Sequence, residues 1–432
     1  MRYRIVCLCA LLSTLLAAVA CSGQGAPTEA TVPPAPLVIR NGTLIDGTGA
    51  DPIADGIVII EGERIVAVGR EADITIPSDA QIIDAGGGTI LPGLIDSHVH
   101  DTWSPQVRRE FLELGVTSVC DLGSPIERMA DFEQDTWNGK PVARGFRAGP
   151  IFNAPGGLPD AVLNADLNYE VGTPEEARRG VADLVDRGAD VIKVYLEPTS
   201  NNQPYPMLDD AVLGAIVEAA HAQGILVRAH VTKLSLVPMA LDAGVDVLEH
   251  VPERPLSEES FVRVLEASDD LSADLFDWYI VADYDSLLPR IATQGVLMVP
   301  TMALLVEDRY GSRETIPWQR VMTDGLLEIM RRFHSASGVI ALGTDYNSRF
   351  EPSITIQEAQ LLHAAGLTPV EVIEAATRNA ARVCGHGQDL GTIEVGKLAD
   401  VIIVDGNLVT DLKALESVVV VVKGGQVAHR VQ

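Results

Sequence analysis

Cysteine is scarce in this sequence. Five cysteines occur among 432 residues, and three of them lie within the first 21 positions. Only Cys120 and Cys384 remain in the body of the chain, and two distant cysteines cannot form the framework of a disulfide-rich domain. Cys120 lies in the apolar run 116–122, and Cys384 lies near the end of a helical pattern. We therefore expect both to be buried structural thiols.

Basic residues and long internal apolar runs are also few. The chain has 32 Lys and Arg residues against 60 Asp and Glu residues, a formal net charge of −28, and the basic residues do not cluster. Binding to nucleic acid is therefore not expected, because phosphates would be repelled. The acidity should serve solubility, with a preference for cationic substrates as the alternative. No internal run reaches the ~20 uncharged apolar residues of a membrane span.

The first 21 residues have the order of a secretory signal peptide. Arg2 and Arg4 precede the apolar run 5–16, and small residues then lead to Cys21. A cysteine in that place resembles the cleavage site of bacterial lipoproteins, with simple cleavage as the alternative. We predict export to the periplasm and a lipid anchor at Cys21 in the outer membrane, which is the only membrane contact expected. Residues 22–36, rich in Gly, Ala, Thr and Pro, predict a flexible tether.

The rest of the chain divides into two β-rich ends and a central block. Short β-rich runs between glycine-containing turns fill residues 37–90 and return in 395–432, and we predict that these ends form one small β-sandwich domain. Residues 91–394 alternate strand and helix patterns, which is typical of an α/β fold of the (β/α)8 TIM-barrel type. The eight candidate strands are 93–99, 116–122, 150–153, 190–196, 225–231, 245–250, 296–302 and 339–345.

Two histidines at the end of the first barrel strand have a spacing suited to metal binding. His98 and His100 come directly after the apolar run 91–97. Residues two apart on a strand point to the same side, so both imidazoles can bind one ion from a single rigid element. The pair alone is a weak signal, because His-x-His often occurs by chance.

Four more candidate ligands occur near the ends of later strands. They are Lys193 in the fourth strand, His230 in the fifth, His250 in the sixth and Asp345 in the eighth. Barrel enzymes carry their chemistry at the carboxyl ends of the strands, so all six side chains should converge on one mouth. Imidazole and carboxylate groups are suitable ligands for Zn²⁺ and similar ions. The sequence therefore predicts a metal centre.

Lys193 is an unusual residue for its position. It lies in the run 190–195, on a strand expected to be buried on both faces, and its parity places it and Tyr195 towards the barrel interior. A charged ammonium there is costly, and more so beside cations. Addition of carbon dioxide to the neutral amine would give an anionic ligand that can bridge two metals. The alternative is an unmodified lysine paired with Asp345 or another acid.

These motifs together resemble the amidohydrolase superfamily, and in particular its prolidase-like and imidazolonepropionase-related branch. The resemblance extends from residue 37 to the end, and its clearest stretches are 91–100, 248–250, 342–345, 366–369, 375–377 and 391–400. It implies that His98, His100 and Asp345 bind a more buried metal, and that His230 and His250 bind a more exposed one. It also implies two divalent ions, expected to be zinc, bridged by a carboxylated Lys193.

A centre of this kind predicts a hydrolase of an amide or peptide bond, with a dipeptide or an N-acyl amino acid as substrate. A hydroxide bridging the metals would attack the carbonyl, and Asp345 would carry its proton to the leaving nitrogen. One alternative is a single-metal cyclic-amide hydrolase or deaminase of the same superfamily, although residues 231–234 lack the glutamate usual in deaminases. The other is a non-catalytic, lipid-tethered binding protein, which the presence of all six ligands disfavours.

Four residues are candidates for substrate contacts: Tyr195, Arg309, Arg313 and Arg349. Tyr195 could donate its hydroxyl to a substrate oxyanion or serve packing alone. One of the arginines could hold a substrate carboxylate, or all three could be solvated. The acidic segment 257–287 predicts either a lid over the site or helical padding, and a homo-oligomer is compatible with the sequence.

Overall fold

The computed structural model describes residues 35–132, 141–158, 166–200, 203–252, 284–306 and 317–431. Several predicted features lie outside these ranges: the signal peptide 1–21 with Cys21, the tether up to residue 34, Arg309, Arg313 and residues 257–283 of the acidic segment. Among the helices within these ranges, none combines the length and the apolar character needed to cross a membrane.

Strands from both ends of the chain form one eight-stranded sheet. They are β1 (Leu37–Leu44), β2 (Ile53–Glu61), β3 (Arg64–Arg70), β4 (Gln81–Asp84), β5 (Thr89–Pro92), β17 (Val401–Val404), β18 (Val418–Lys423) and β19 (Gln426–Arg430). The strand order is β19-β18-β17-β5-β1-β2-β3, with β4 paired to β1. Their β-branched residues, such as Ile39, Ile90 and Val401, are buried in one core. The two chain ends therefore share a sheet, while the sandwich form and the domain limits stay predictions.

Two parallel sheets occupy the middle of the chain. The first has the order β6 (Leu94–Val99), β7 (Val116–Asp121) and β8 (Arg144–Arg147). The second has the order β10-β9-β11-β14-β15-β16. Its strands are β9 (Ile151–Asn153), β10 (Asn168–Glu170), β11 (Ile192–Leu196), β14 (Val227–Val231), β15 (Val247–Glu249) and β16 (Leu297–Val299). A separate small hairpin pairs β12 (Thr199–Ser200) with β13 (Gln203–Pro204).

Helices lie between the parallel strands and after them. The α-helices are α1 (Pro105–Glu113), α2 (Pro174–Asp186), α3 (Asp210–His221), α4 (Val237–Ala243), α5 (Tyr284–Thr293), α6 (Pro317–Ser335), α7 (Ile354–Ala364), α8 (Pro369–Glu374) and α9 (Ala380–Val383), with one helical turn at Met302–Leu304. Their starts follow the sequence closely: the hydroxyl of Thr173 caps α2, and Thr368 and Glu371 form a capping box on α8. The Val, Leu and Ala face of α3 packs into the main core.

The predicted eighth strand is not a regular strand in the structure. Within 339–345, only Ile340 forms a β-bridge, and Tyr346 forms the next one. Asp345 adopts a left-handed backbone, and Gly343 packs closely on His98, since a Cβ there would lie 2.8 Å from the nitrogen of His98. The segment still connects the two parallel sheets, because Ala341 donates to the carbonyl of Met298 and the carbonyl of Leu342 accepts from Ser97.

Strand β8 is absent from the strands predicted from the sequence. Its residues, Arg-Gly-Phe-Arg, lack the apolar run by which buried parallel strands are recognised. Both arginines are nevertheless buried, and Arg144 forms an ion pair with Asp400 at the start of β17. A partner more than 250 positions away neutralises the charge, so no local pattern could indicate this strand.

Candidate metal centre

All six predicted ligands line one cavity of about 520 Å³. Each lies on a parallel strand, just beyond its C-terminal end, or in the connecting segment that ends at Tyr346. Apolar side chains, Ile151, Leu167 and Leu304, form part of the wall. The structure thus brings together residues spread over nearly 250 positions of the chain.

His98, His100 and Asp345 form one compact cluster, which we call the Asp345 group. Asp345 Oδ1 lies 3.0 Å from His100 Nε2 and 3.4 Å from His98 Nε2. One ligand atom from each residue lies within 4.8 Å of the other two. Two imidazoles and one carboxylate at this spacing can surround a single divalent cation.

His230 and His250 form a second cluster, which we call the histidine pair. His250 Nε2 lies 2.8 Å from His230 Nδ1, and His250 Nδ1 lies 2.8 Å from the hydroxyl oxygen of Thr301. The ring of Tyr195 stacks on His230 with centroids 3.9 Å apart. Thr301 therefore orients the ring of His250 and Tyr195 that of His230, and one nitrogen of each ring faces the other ring.

Two of the predicted ligands have a strained backbone. Asp345 has a φ of 58° and His250 a φ of 70°, both in the left-handed region that non-glycine residues rarely adopt. Hydrogen bonds hold these conformations: the amide of Asp345 donates to the carbonyl of His98 at 2.7 Å, and that of His250 donates to Val299 at 2.8 Å. Strain of this kind is typical of functional sites, where the surrounding fold determines the conformation.

A buried carboxylate, Glu249, orients His98, and the sequence analysis gave it no role. Glu249 Oε2 lies 2.7 Å from His98 Nδ1, and its Oε1 accepts a hydrogen bond from Arg228 Nε at 2.6 Å. All three side chains are buried. A proton held on Nδ1 leaves the lone pair of His98 Nε2 for a metal. Two sequence features could have indicated a role for Glu249: its place in the stretch 248–250, and the position of Arg228 two residues before His230 on the same face of a strand.

Lys193 lines the same cavity as the two clusters. Its side chain is buried, and Nζ lies 3.5 Å from His98 Nε2. Burial lowers the pKa of this ammonium to about 8, so its neutral form is more accessible than that of a surface lysine. Among the residues that the structure describes, it forms no ion pair with an acid.

Burial favours the neutral, metal-binding form of three of the four histidines, whereas at His100 the nearby Asp345 outweighs burial and raises the pKa. Burial lowers the pKa of His250 to about 4 and holds the pKa of His98 and of His230 well below the usual value. Burial opposes ionisation of Asp345, but nearby His98 and His100 outweigh it and hold its pKa well below the usual range. Neutral imidazoles and an ionised carboxylate are the forms that bind divalent cations.

Two further buried carboxyls support the loops that carry the ligands, and neither was predicted. Asp96 accepts hydrogen bonds from the hydroxyls of Thr344 at 2.8 Å and Thr355 at 2.9 Å. Asp121 accepts from both the amide and the hydroxyl of Thr102 at 2.9 Å. Burial raises the pKa of each carboxyl to about 6. Their partners are distant in sequence or lie in loops, so the sequence contained no signal for these contacts.

Of the four candidate substrate contacts, the structure places two at the cavity. Tyr195 and Arg349 both line it. Arg349 is exposed, and its Nε donates to Asn347 Oδ1 at 3.1 Å. Arg309 and Arg313 lie outside the described residues.

The donor set fits divalent metal ions. Three of the four histidines have depressed pKa values, and second partners hold His98 through Glu249 and His250 through Thr301. Such outer contacts are a regular feature of metal-ligating histidines. Imidazole nitrogens with a carboxylate are the ligands that zinc and related ions prefer.

Known proteins support this interpretation. The family model described as the amidohydrolase family matches residues 89–428. An ochratoxinase from Aspergillus niger is 27% identical over 443 aligned positions, covering 90% of this chain and 86% of the relative. An imidazolonepropionase from a Geobacillus species is 23% identical, covering 86% of this chain and 92% of the relative.

Solved structures agree on the fold. A Xaa-Pro dipeptidase crystallised with methionine in its active site matches with a TM-score of 0.69 and 23% identity, covering 92% of this chain and all of the other. At this identity the likeness concerns the fold alone, and it confirms the predicted α/β class. The family match covers most of the sequence, and the prediction of a hydrolytic enzyme acting on carbon–nitrogen bonds is confirmed. The chain belongs to the amidohydrolase family.

Proposed function

We propose that the protein is a binuclear metal-dependent hydrolase that cleaves an amide or peptide bond. The observation that carries this proposal is the position of the Asp345 group and the histidine pair in one cavity, which Lys193 also lines. Two separate donor clusters around a common space are what a two-ion centre requires.

The Asp345 group would hold one ion and the histidine pair the other. Bound divalent ions would lower the pKa of a coordinated water from ~16 towards neutrality and polarise a substrate carbonyl. Zinc is the proposed metal, because the Asp345 group offers two imidazoles and one carboxylate, which are ligands that zinc commonly takes.

Lys193 is proposed to carry a carboxyl group added from carbon dioxide. The addition joins the neutral amine nitrogen to the carbon of carbon dioxide and releases one proton, giving an anionic carbamate. Burial of Nζ and its depressed pKa support this step, since they increase the share of neutral amine. The carbamate would supply negative charge beside the neutral histidine pair.

Asp345 is proposed to move the proton during hydrolysis. Its carboxylate is ionised at neutral pH, because its pKa is held well below the usual range, and it can therefore accept a proton from the attacking water. The same carboxyl would then return the proton to the leaving nitrogen. Its left-handed backbone and its bond to His100 keep the carboxylate at the cavity.

The proposed substrates are dipeptides or N-acyl amino acids, small molecules that combine an amide bond with a carboxylate. Arg349 at the cavity would bind the carboxylate, and the hydroxyl of Tyr195 would donate to the developing oxyanion. Ile151, Leu167 and Leu304 offer an apolar wall for the substrate side chain. The family is that of the amidohydrolases and one relative is an ochratoxinase, which is in keeping with amide substrates.

The proposed architecture is a (β/α)8 barrel with a small β-sandwich domain formed by the chain ends. Support for closure comes from the segment between Ile340 and Tyr346, which bridges to Met298 of β16 on one side and to Val99 of β6 on the other. Export and lipidation at Cys21 also remain proposals, and globomycin sensitivity of processing in a bacterial host would test the lipidation.

The test of the proposed function combines metal counting with a substrate screen. Purified protein loaded with zinc and bicarbonate should contain two ions per chain by mass spectrometry of metals, and should hydrolyse members of a dipeptide and N-acyl amino acid library. One ion per chain would favour the single-metal alternative, in which the Asp345 group alone binds metal. No hydrolysis of any amide by the two-ion protein would overturn the proposal.

A further inference from the structure

Helix α7 presents two buried polar side chains to the metal centre. Thr355 and Glu358 lie three positions apart, on one face of the helix, and both are almost completely buried. The rest of that buried face is apolar, with Ile354, Leu361 and Leu362. Polar groups are costly in such a place unless they make specific hydrogen bonds, so their partners indicate their role.

Glu358 holds the helical turn that follows β16. Its Oε2 accepts a hydrogen bond from the amide of Ala303 at 2.6 Å, and the amide of Met302 also donates to this carboxyl. In the part of the chain that the structure describes, its Oε1 has no hydrogen-bond partner. A half-satisfied buried carboxyl costs stability, on the order of 1–3 kcal/mol for each unpaired polar group. Packing alone does not account for a glutamate here.

The residue before that turn is the partner of a predicted metal ligand. Thr301 has a φ of 50° and a ψ of 40°, a left-handed conformation that is strained for a β-branched residue. Its hydroxyl oxygen lies 2.8 Å from His250 Nδ1. The two amides bound by Glu358 immediately follow Thr301, so this carboxyl fixes the backbone on which the hydroxyl depends.

Thr355 makes the corresponding contact on the other side of the centre. Its hydroxyl donates to Asp96 Oδ2 at 2.9 Å, and Asp96 also accepts from the amide and hydroxyl of Thr344, the neighbour of Asp345. The amide of His98 donates to the same carboxyl at 3.3 Å. One helix face therefore contacts the supports of both clusters.

We propose that Glu358 is a positioning residue for the histidine pair, acting on His250 through the 301–303 turn, while Thr355 does the same for the Asp345 group through Asp96. The role rests on the proposed two-ion function. A substitution that removes the Glu358 carboxyl should therefore weaken binding of the ion at the histidine pair and leave binding at the Asp345 group unchanged.

This role can be tested by titrating zinc into the metal-free full-length protein in the presence of bicarbonate and measuring the heat of binding by calorimetry. Glu358→Leu should leave one binding event at wild-type affinity and weaken the other by about 10–100-fold, the usual effect of losing an outer partner of a ligand. Glu358→Gln should restore both events, because its amide oxygen can accept from Met302 and Ala303. Gln357→Leu, exposed on the same helix, is the matched control and should bind like wild type.

Thr301→Val provides an independent variant if Glu358→Leu does not fold. It removes the hydroxyl beside His250 at nearly constant volume, and should weaken the same single event. Two unchanged binding events in a folded Glu358→Leu or Thr301→Val protein would overturn the positioning role while leaving the proposed function intact. Failure of the wild type to bind two ions would instead overturn the proposed function, and the positioning role with it.

Discussion

The two halves of the centre differ in charge. The Asp345 group contains an ionised carboxylate within 3.0 Å of His100, whereas the histidine pair consists of two imidazoles whose pKa values are lowered by burial. In the proposed centre, a divalent ion at the first half would meet a compensating negative charge from this chain. An ion at the second half would need negative charge from another group. The proposed carboxyl group on Lys193, which lines the same cavity, would supply it.

The two halves also differ in their support. His98 is held by the buried Glu249, which is itself paired with Arg228, so charged groups orient the first half. His250 is held by the neutral hydroxyl of Thr301. We infer that the first half depends on a buried ion pair, and that the second depends on the geometry of one turn. Variants can separate these two dependencies.

The largest effect is expected for Asp345→Asn. The amide cannot accept the proton of the attacking water, so kcat should fall by about 10²–10⁴-fold. Steady-state kinetics on protein with measured metal content would check this. Asp101→Asn, at the rim of the same cavity, is the control and should keep most of the activity. A metal-replete Asp345→Asn protein with wild-type kcat would contradict the assigned role.

Glu249→Gln should affect stability more than any other variant of the outer residues. It leaves the Arg228 guanidinium buried without its anion, and breaking a buried pair in this way costs about 3–5 kcal/mol. Denaturant unfolding would measure the loss, and zinc binding to the Asp345 group should weaken as well. Glu175→Gln, which removes an exposed pair with Arg179, should change stability by less than ~0.5 kcal/mol. Equal losses of stability in the two variants would contradict the structural importance of the buried Glu249–Arg228 pair.

Lys193→Ala should separate the two halves directly. Loss of the anionic carbamate removes a direct ligand and leaves the neutral histidine pair without charge compensation, so zinc affinity at that half should fall by more than the ~10–100-fold expected for an outer partner. Binding at the Asp345 group should persist, because it has its own carboxylate. Lys193→Arg keeps a long side chain but cannot be carboxylated. It should show the same loss, which would exclude the missing side-chain volume as the cause. Retention of two tightly bound ions by either variant would be inconsistent with the bridge.

The smallest effect concerns the pH dependence of stability. Burial raises the pKa of Glu358 from 4.5 to about 8, so the folded chain keeps a proton that the unfolded chain releases in that window. Its contribution to stability should be fully present below pH 4.5 and lost as the pH rises to about 8. Glu358→Gln cannot ionise, so its Tm should gain on that of the wild type by a few degrees between pH 5 and pH 8. A constant difference in Tm would show that Glu358 does not titrate in this way.

The structure brings together the six candidate ligands that the sequence predicted, whereas their surroundings were largely not predicted. His98 and His100 are recognisable because two-residue spacing on a strand is a local property, and the other ligands follow apolar strand patterns. The strands predicted at 116–122 and 225–231 differ from β7 and β14 by no more than two residues at either end. Local propensity and burial patterns therefore sufficed for most elements of the central block.

The missed features all depend on contacts between distant segments. Strand β8 carries two buried arginines, one of which Asp400 neutralises. Glu249 and Glu358 are acidic residues whose partners, Arg228 and the 302–303 amides, lie in other elements. The irregular eighth strand results from the left-handed backbone at Asp345, which tertiary hydrogen bonds maintain. None of these contacts leaves a periodic signal in the sequence.

Anomalous diffraction at the zinc edge from crystals grown with zinc and bicarbonate would test the two-ion centre most directly. We expect two peaks, one among His98, His100 and Asp345 and one at His230 and His250, with continuous density extending Lys193 Nζ as a carboxyl group between them. A single peak beside an unmodified lysine would contradict the account.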